Sequence, residues 1–340
     1  MSSVIIYTYF SSPSADYNLD FFVKKELSYK NNIDYIIVIN GYNYNKNIVF
    51  PTITNLKILK RANHGYDFGG HNHALKYIKS HSKTYDYYFF MNSGVIGPIL
   101  HQNFKESHWT NVFIKKINNR VKLVGTTIVA RKKTPIVEGF FFMVDKIGLE
   151  LLKKHKTIFS NHKTKHSAVH NAEFQLAKCI LNNKYTIDCM LQRYKGVNWT
   201  NPKNYNLNNG KFPSRKNNFY GRSINPYDVI FHKWFWHSSP NVNFEIVKKY
   251  VDDFHIKNNI PPSNINPREK RFNKPHNKRN KKHRLFRLQG RIYKKRIIKR
   301  RIKNIQMHKR RTIKRRIKNI QIHKRRIHKR RIPKRRFNNK

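Results

Sequence analysis

Ala62-Asn63-His64-Gly65-Tyr66-Asp67-Phe68-Gly69-Gly70-His71-Asn72-His73-Ala74-Leu75 is a polar stretch punctuated by glycine, and its reading decides the fold. It follows a short apolar run at 56–59 and leads into apolar positions of helical spacing at 74–78, so it reads as a loop between a strand and a helix. A second polar turn, Asn92-Ser93-Gly94, ends the aromatic run Tyr87-Tyr88-Phe89-Phe90-Met91. Upstream, the β-branched and aromatic runs at 4–10 and 35–39 are closed by Ser11-Ser12-Pro13 and Asn40-Gly41, with helical spacing between them at 19–29. Strands alternating with helices predict an α/β fold, a Rossmann-like, mostly parallel sheet with helices on both faces. In such a sheet the loops at the carboxyl ends of the strands converge on one crevice where ligands bind. Gly65, Gly69 and Gly70 would let the backbone approach a ligand or take positive φ, and a helix beginning near Gly70 would offer amide donors to an anion. A plain turn accounts for the same glycines.

Farther along, residues 121–129 and 139–144 read as two more strands. Phe140-Phe141-Phe142 shows no two-fold alternation and is expected to be buried on both faces. Helices are predicted over 146–154 and 172–181, and the aromatic run at 228–236 predicts a late strand. Residues 198–225, rich in Asn, Lys and Gly, read as a long surface loop.

The 340 residues carry 72 Lys and Arg against 17 Asp and Glu, and 35 of those bases with one acid, Glu269, fall within 268–340. Apolar density drops after Val251, and Pro261-Pro262 with Pro267 marks a hinge. The predicted organisation is therefore a domain over 1–260 and a low-complexity Lys/Arg-rich tail over 261–340. Within the tail Lys299-Arg300-Arg301-Ile302-Lys303-Asn304-Ile305-Gln306 recurs 15 residues later, from Lys314 to Gln321. Self-repulsion predicts a disordered tail in water, and a narrow amphipathic helix once its charge is neutralised. Its expected partners are polyanions, either nucleic acid or an anionic membrane surface. The two cysteines, Cys179 and Cys189, have neither metal-finger nor redox spacing and are expected to stay reduced. The run at 4–10 is too short for a signal peptide and no stretch approaches about 20 apolar residues, which predicts a cytoplasmic chain without a transmembrane segment.

Taken together, the two loop segments resemble those of GT-A-fold glycosyltransferases, most closely the group related to rhamnan-synthesis proteins that also occurs in large DNA viruses. In that group the pattern runs roughly Asn-x-Gly-x-Asp-x-Gly, a helix, then an aromatic strand ending in Asn-Ser-x-x-x-Gly-Pro. Asn63, Gly65, Asp67, Gly69, Asn92, Ser93, Gly97 and Pro98 stand in those places. Phe140-Phe141-Phe142-Met143-Val144 resembles the next block, Glu173 a later acidic helix, and Pro226-Tyr227-Asp228-Val229-Ile230-Phe231-His232-Lys233 the closing motif. The resemblance covers about residues 3 to 240. It implies transfer of a sugar from a nucleotide-sugar donor to a glycan or protein acceptor, and a location in the cytoplasm of a virus-infected cell. GT-A enzymes commonly end the corresponding strand with Asp-x-Asp, which holds Mn or Mg against the donor diphosphate. Here Asn92-Ser93-Gly94 stands instead, and neutral Asn is a poor ligand for a hard cation, so Mn or Mg stays one alternative and stabilisation of the leaving diphosphate by Lys, Arg and His the other.

Asp67 is the leading candidate for donor binding, since it could accept from a ribose or sugar hydroxyl, although Asp is also a preferred helix cap. Asn63, Gly65, Tyr66, Gly69, Gly70, Asn92 and Ser93 complete that side, although Asn92 could simply satisfy its own turn. His232 and Lys233, beside Trp234 and Trp236, could clasp the diphosphate, stack on a sugar or belong to a core region. Glu173, by resemblance, and then Glu138 are the candidates for the base that deprotonates the acceptor, each equally readable as a solvated charge. His64, His71 and His73 match no common zinc spacing, so no metal ligands are expected. The competing reading is a nucleic-acid-binding or packaging protein built on a degenerate GT-A-like domain.

Overall fold

The computed structural model describes residues 1–27, 32–236, 239–240 and 243–269. The tail repeat and the expected tail helix lie outside the described residues.

The first half alternates as its hydrophobic runs require: β1 (Ser3–Tyr9), α1 (Pro13–Glu26), β2 (Ile33–Asn40), β3 (Leu56–Arg61), α2 (Tyr66–Ser80) and β4 (Tyr87–Asn92). Then come α3 (Thr110–Ile114), β5 (Val121–Gly125), the short pair β6 (Ile128–Val129) and β7 (Ile136–Val137), β8 (Phe141–Asp145) and α4 (Lys146–Lys154). α5 (Lys165–Ala168) runs through a π-helical turn (Val169–Glu173) into α6 (Phe174–Asn182), which is followed by β9 (Thr186–Cys189). The chain closes with α7 (Pro226–Val229), β10 (Phe235–Trp236), β11 (Ser239–Pro240) and α8 (Phe244–Lys257).

Seven strands form one sheet in the order β3-β2-β1-β4-β8-β5-β9. All neighbouring pairs are parallel except those of β8, which is antiparallel to β4 and β5. The α/β class and the mostly parallel sheet thus stand as expected. β1 shows why its apolar run is unbroken: Ile5, Tyr7 and Tyr9 pack on one face with α1, while Val4 and Ile6 pack on the other with α2 and α6. Both faces are covered, so the middle of the strand is apolar throughout, and its polar residues Ser3 and Thr8 fall towards its two ends.

Local chemistry sets the helix starts. Ser12 caps α1 by accepting from the Ala15 N–H at 3.2 Å, and Pro13 opens the helix, where its missing N–H costs nothing. α2 begins at Tyr66, not near Gly70, because Gly65 (φ 74°) takes the left-handed capping position. Gly69 and Gly70 therefore lie inside the helix. A Cβ on Gly70 would stand 2.4 Å from Thr8 Cγ2, and one on Gly69 would stand 2.5 Å from the His64 carbonyl oxygen. These two glycines allow α2 to lie against β1 and its own loop, rather than exposing backbone to a ligand. Next to them His71 is fully buried with Nδ1 2.9 Å from Thr8 Oγ1, and burial pushes its pKa down to about 4, which keeps it neutral.

Two expectations fail here. Residues 228–236 form a strand only at 235–236 (β10), because Pro226 and the Asn225 side chain, which accepts from the Tyr227 N–H at 3.1 Å, start the helical turn α7. The aromatic residues after it plug the core: Phe231 sits 4.6 Å from Phe141 and 4.7 Å from Trp109, centroid to centroid. Residues 198–225 are not a surface loop throughout, since Trp199 and Ser214 are each 1% exposed. Packing also continues past the expected boundary at 260, because Ile265 is buried against the core of α1 and α8. Cys179 and Cys189 are both buried and free. Among the described residues no helix is long and apolar enough to cross a membrane.

Candidate active site

β1 is flanked by β2 and β4, so the connections on its two sides leave in opposite directions and the strand ends splay apart. A cavity of about 550 Å³ opens there. Its first wall is made by the carboxyl ends of the parallel strands and the loop before α2: Thr8, Asn40, Asn63, Tyr66, Asp67 and Asn92. Asn92 Nδ2 donates to Asp67 Oδ2 at 2.8 Å, and Asn92 Oδ1 accepts from the Gly94 N–H at 2.9 Å. Asp67 Oδ1 accepts from the Phe68 N–H at 3.2 Å. Asp67 is thus the second residue of α2 rather than its cap, with its charge near the positive end of the helix dipole.

Arg61 braces this wall, donating to Asn40 Oδ1 at 3.0 Å, the His64 carbonyl at 2.9 Å and Asn161 Oδ1 at 3.1 Å. Ser93 lines the cavity but is 8% exposed; its N–H bonds the Thr8 carbonyl at 3.0 Å, so it mainly fixes the turn. Gly65 lies outside this cavity, in an adjoining depression of about 490 Å³ that shares Asn63 and Tyr66. Gly69 and Gly70 line neither depression.

The opposite wall carries the charge. Glu138 is 2% exposed and accepts from Thr127 Oγ1 at 2.6 Å and Ser214 Oγ at 2.7 Å. Burial raises its pKa, against the lowering effect of those hydroxyls, Lys233 and Arg215. Glu173 closes the π-helical turn, a single-turn widening that re-aims side chains and is frequent at functional sites. Gly139 lets it lie close, for a Cβ there would stand 3.1 Å from Glu173 Cγ. The Glu173 pKa is pushed up to about 7, first by burial, then by the charge on Glu138, with the Gly139 N–H opposing and Asp67 adding to the rise.

Lys233 lies across from these acids with Nζ 5.4 Å from the Phe140 ring centroid. Burial lowers its pKa, while Glu138, Glu173 and Asp67, in that order, hold it up. Ile230 sets it there by taking φ 63°, ψ −45°, a conformation that a β-branched residue adopts only when its surroundings impose it. The tie is the antiparallel bridge between Ile96 and His232, with N–H to carbonyl distances of 3.0 and 2.9 Å. His232 itself is a correction: it is 0% exposed, absent from the cavity lining, and has Nε2 3.2 Å from Asn243 Nδ2. Burial lowers its pKa to about 3, so it is a neutral floor residue and cannot clasp an anion.

The sequence reading missed Lys165, Arg215, Phe212 and Phe10, all on the cavity lining. No residue pattern marks them, because they come from a loop, a four-residue helix and a strand end.

An Mn or Mg ion would find no ionised oxygen at the end of β4, where the neutral Asn92 stands. Both amide atoms of Asn92 are engaged, and both Glu138 oxygens accept from hydroxyls. Among the described residues no group of three His, Cys, Asp or Glu is arranged to hold a metal ion.

No protein-family model matches the sequence, and no curated protein does. Among solved structures, the chain is similar to a mannosyltransferase, PcManGT from Pyrobaculum calidifontis in complex with GDP-Man and Mn2+. The identity is 13% over 55% of this chain and 54% of that one, with a TM-score of 0.37. It is also similar to the glycosyltransferase GlyE of Streptococcus pneumoniae TIGR4, at 7% identity over 77% of this chain and 65% of that one, with a TM-score of 0.39. The chain thus covers less than two thirds of either protein's length.

Proposed function

We propose that this domain is a glycosyltransferase of GT-A organisation, of the rhamnan-synthesis-related kind its sequence resembles, that moves a sugar from a nucleotide-sugar donor to a hydroxyl acceptor. The observation that carries the reading is Glu173. A carboxylate with a pKa near 7 lines a cavity at the sheet's switch point, facing the Asp67–Asn92 pair. A general base works best when its pKa lies near the operating pH. Glu173 would take the proton from the acceptor oxygen as that oxygen bonds the anomeric carbon and the bond to the diphosphate breaks. Asp67, held by Asn92, would accept from a hydroxyl of the donor. Phe10 and Tyr66, 51% and 40% exposed on the lining, offer aromatic faces to a base or sugar ring. Lys233 would face the leaving diphosphate.

The test is calorimetric titration with a panel of nucleotide sugars, followed by turnover assays with those that bind. Asp67→Ala should lower donor affinity about tenfold, the scale of a lost charge-assisted hydrogen bond, without changing the melting temperature by more than a few degrees. Binding of no nucleotide sugar by the full chain would refute the reading.

The charge of residues 268–340, 35 bases to one acid, favours a second role for the tail in binding polyanions. Deleting 268–340 should then abolish salt-sensitive binding to DNA and to anionic vesicles, and competition between the two shows which partner dominates.

A further inference from the structure

The cavity's cations and carboxylates together bear on how the donor's diphosphate is held, an inference that rests on the glycosyltransferase reading. We infer that Lys233, Arg215 and Lys165 bind the diphosphate directly, so that the protein's own cations take the place of a divalent metal ion.

Three observations carry this. At the end of β4, where a metal-binding carboxylate would stand, Asn92 has its amide nitrogen on Asp67 and its amide oxygen on the Gly94 N–H. A hard divalent cation prefers ionised oxygens, and the Asn92 amide is neutral. Of the three carboxylates on the lining, Asp67 accepts from Asn92 and Phe68, and Glu138 from Thr127 and Ser214. Glu173 has its protonated form favoured by burial.

Against them stand three cations on the same lining. Lys233 interacts with all three carboxylates, Arg215 with Glu138, and Lys165 repels Lys233. A diphosphate bound beside both ammonium groups would offset that repulsion. Three basic side chains share the lining with three carboxylates, and burial favours the protonated forms of two of these, Glu173 and Glu138, a balance that favours an anionic ligand. Lys165 and Arg215 are exposed and Lys233 is half-buried, so the set runs from the rim inward, as a leaving group that must later depart would require.

The experiment is titration of the full chain with inorganic pyrophosphate, UDP and GDP, once in EDTA and once in Mn²⁺. The read-out is the difference between the native chain and its Lys233→Met, Arg215→Met and Lys165→Met variants, since anion binding by the tail is common to all four. Affinity in EDTA should lie within about twofold of that in Mn²⁺, Lys233→Met should lose at least tenfold, and the two rim variants several-fold. Arg215→Lys, which keeps the charge, should retain most of the affinity even if Lys233→Met proves unstable. Binding of UDP or GDP only with Mn²⁺, or variants indistinguishable from the native chain, would overturn the inference and leave the glycosyltransferase reading standing. Pyrophosphate binding that depends on Lys233, with no nucleotide bound, would instead uphold the cation set and remove the nucleotide-sugar reading. Absence of binding by all three probes would remove both.

Discussion

The two walls of the cavity are built in different ways. The first, residues 8 to 94, is regular: parallel strands end in polar turns, and the groups it presents are hydroxyl, amide and one carboxylate. The second, residues 138 to 233, is irregular. It consists of a π-helical turn, a four-residue helix and a long loop, and it supplies Glu138, Glu173, Lys165, Arg215 and Lys233. On the proposed function, the regular βα wall would hold the ligand in register, while the groups that change charge would come from segments whose backbone is bent to one purpose.

If the walls divide labour in this way, damage to each should read differently. The largest effect is expected at Glu173→Gln, which should cut turnover about 10²- to 10⁴-fold while leaving donor affinity nearly unchanged. Equal loss of binding and turnover would merge the two walls into one.

A cut in the regular wall should instead appear as lost stability. Gly70→Val places a branched side chain where Thr8 already stands, and should cost about 3 kcal/mol in denaturant unfolding. A variant as stable as the native chain would show that α2 does not depend on close approach to β1.

The third test uses pH. The carboxyl of Glu173 has a folded pKa near 7, above its ordinary value of 4.5. Between those values the folded chain keeps a proton that the unfolded chain loses, so stability falls as pH rises from about 4.5 to about 7 and then levels off. Glu138, also raised, acts in the same direction. Glu173→Gln should flatten part of this slope, and the difference in unfolding free energy between pH 5 and 8 should be smaller than in the native chain by on the order of 1–3 kcal/mol. An unchanged slope would place the pH sensitivity elsewhere.

The smallest effect is expected at Ser214→Ala, which removes one hydroxyl from Glu138 and should cost about 1 kcal/mol in unfolding. No change would mean that the 198–225 loop lies on the wall without supporting it.

The same contrast governs what the sequence could reveal. The strands over 4–10, 35–39 and 87–91 and the helix over 146–154 are marked by runs long enough for one periodicity to prevail. Asp67 and Asn92 were legible because their loops are short and bounded by strong signals. Gly70 was legible as special but not for its reason, since only the packed helix reveals Thr8 beneath it. His232 misled because a histidine beside a lysine reads as a basic pair, whereas the backbone turn at Ile230 sends one inward and the other to the cavity. Lys165 and Arg215 were not legible at all in a chain with 72 basic residues, where composition hides the few that matter.

The bridge between Ile96 and His232 joins positions more than 130 residues apart, and Trp234 beyond it stacks on Phe244 at 5.1 Å. A chain growing from its amino terminus can therefore complete the sheet through β4 well before Lys233 exists to enter the cavity. Contacts of such sequence separation form late, because their loop-closure entropy must be met before they reward the chain. Lys233 is the last of the lining residues to be made, so a polypeptide released before residue 233 would carry Glu138, Glu173, Lys165 and Arg215 without it.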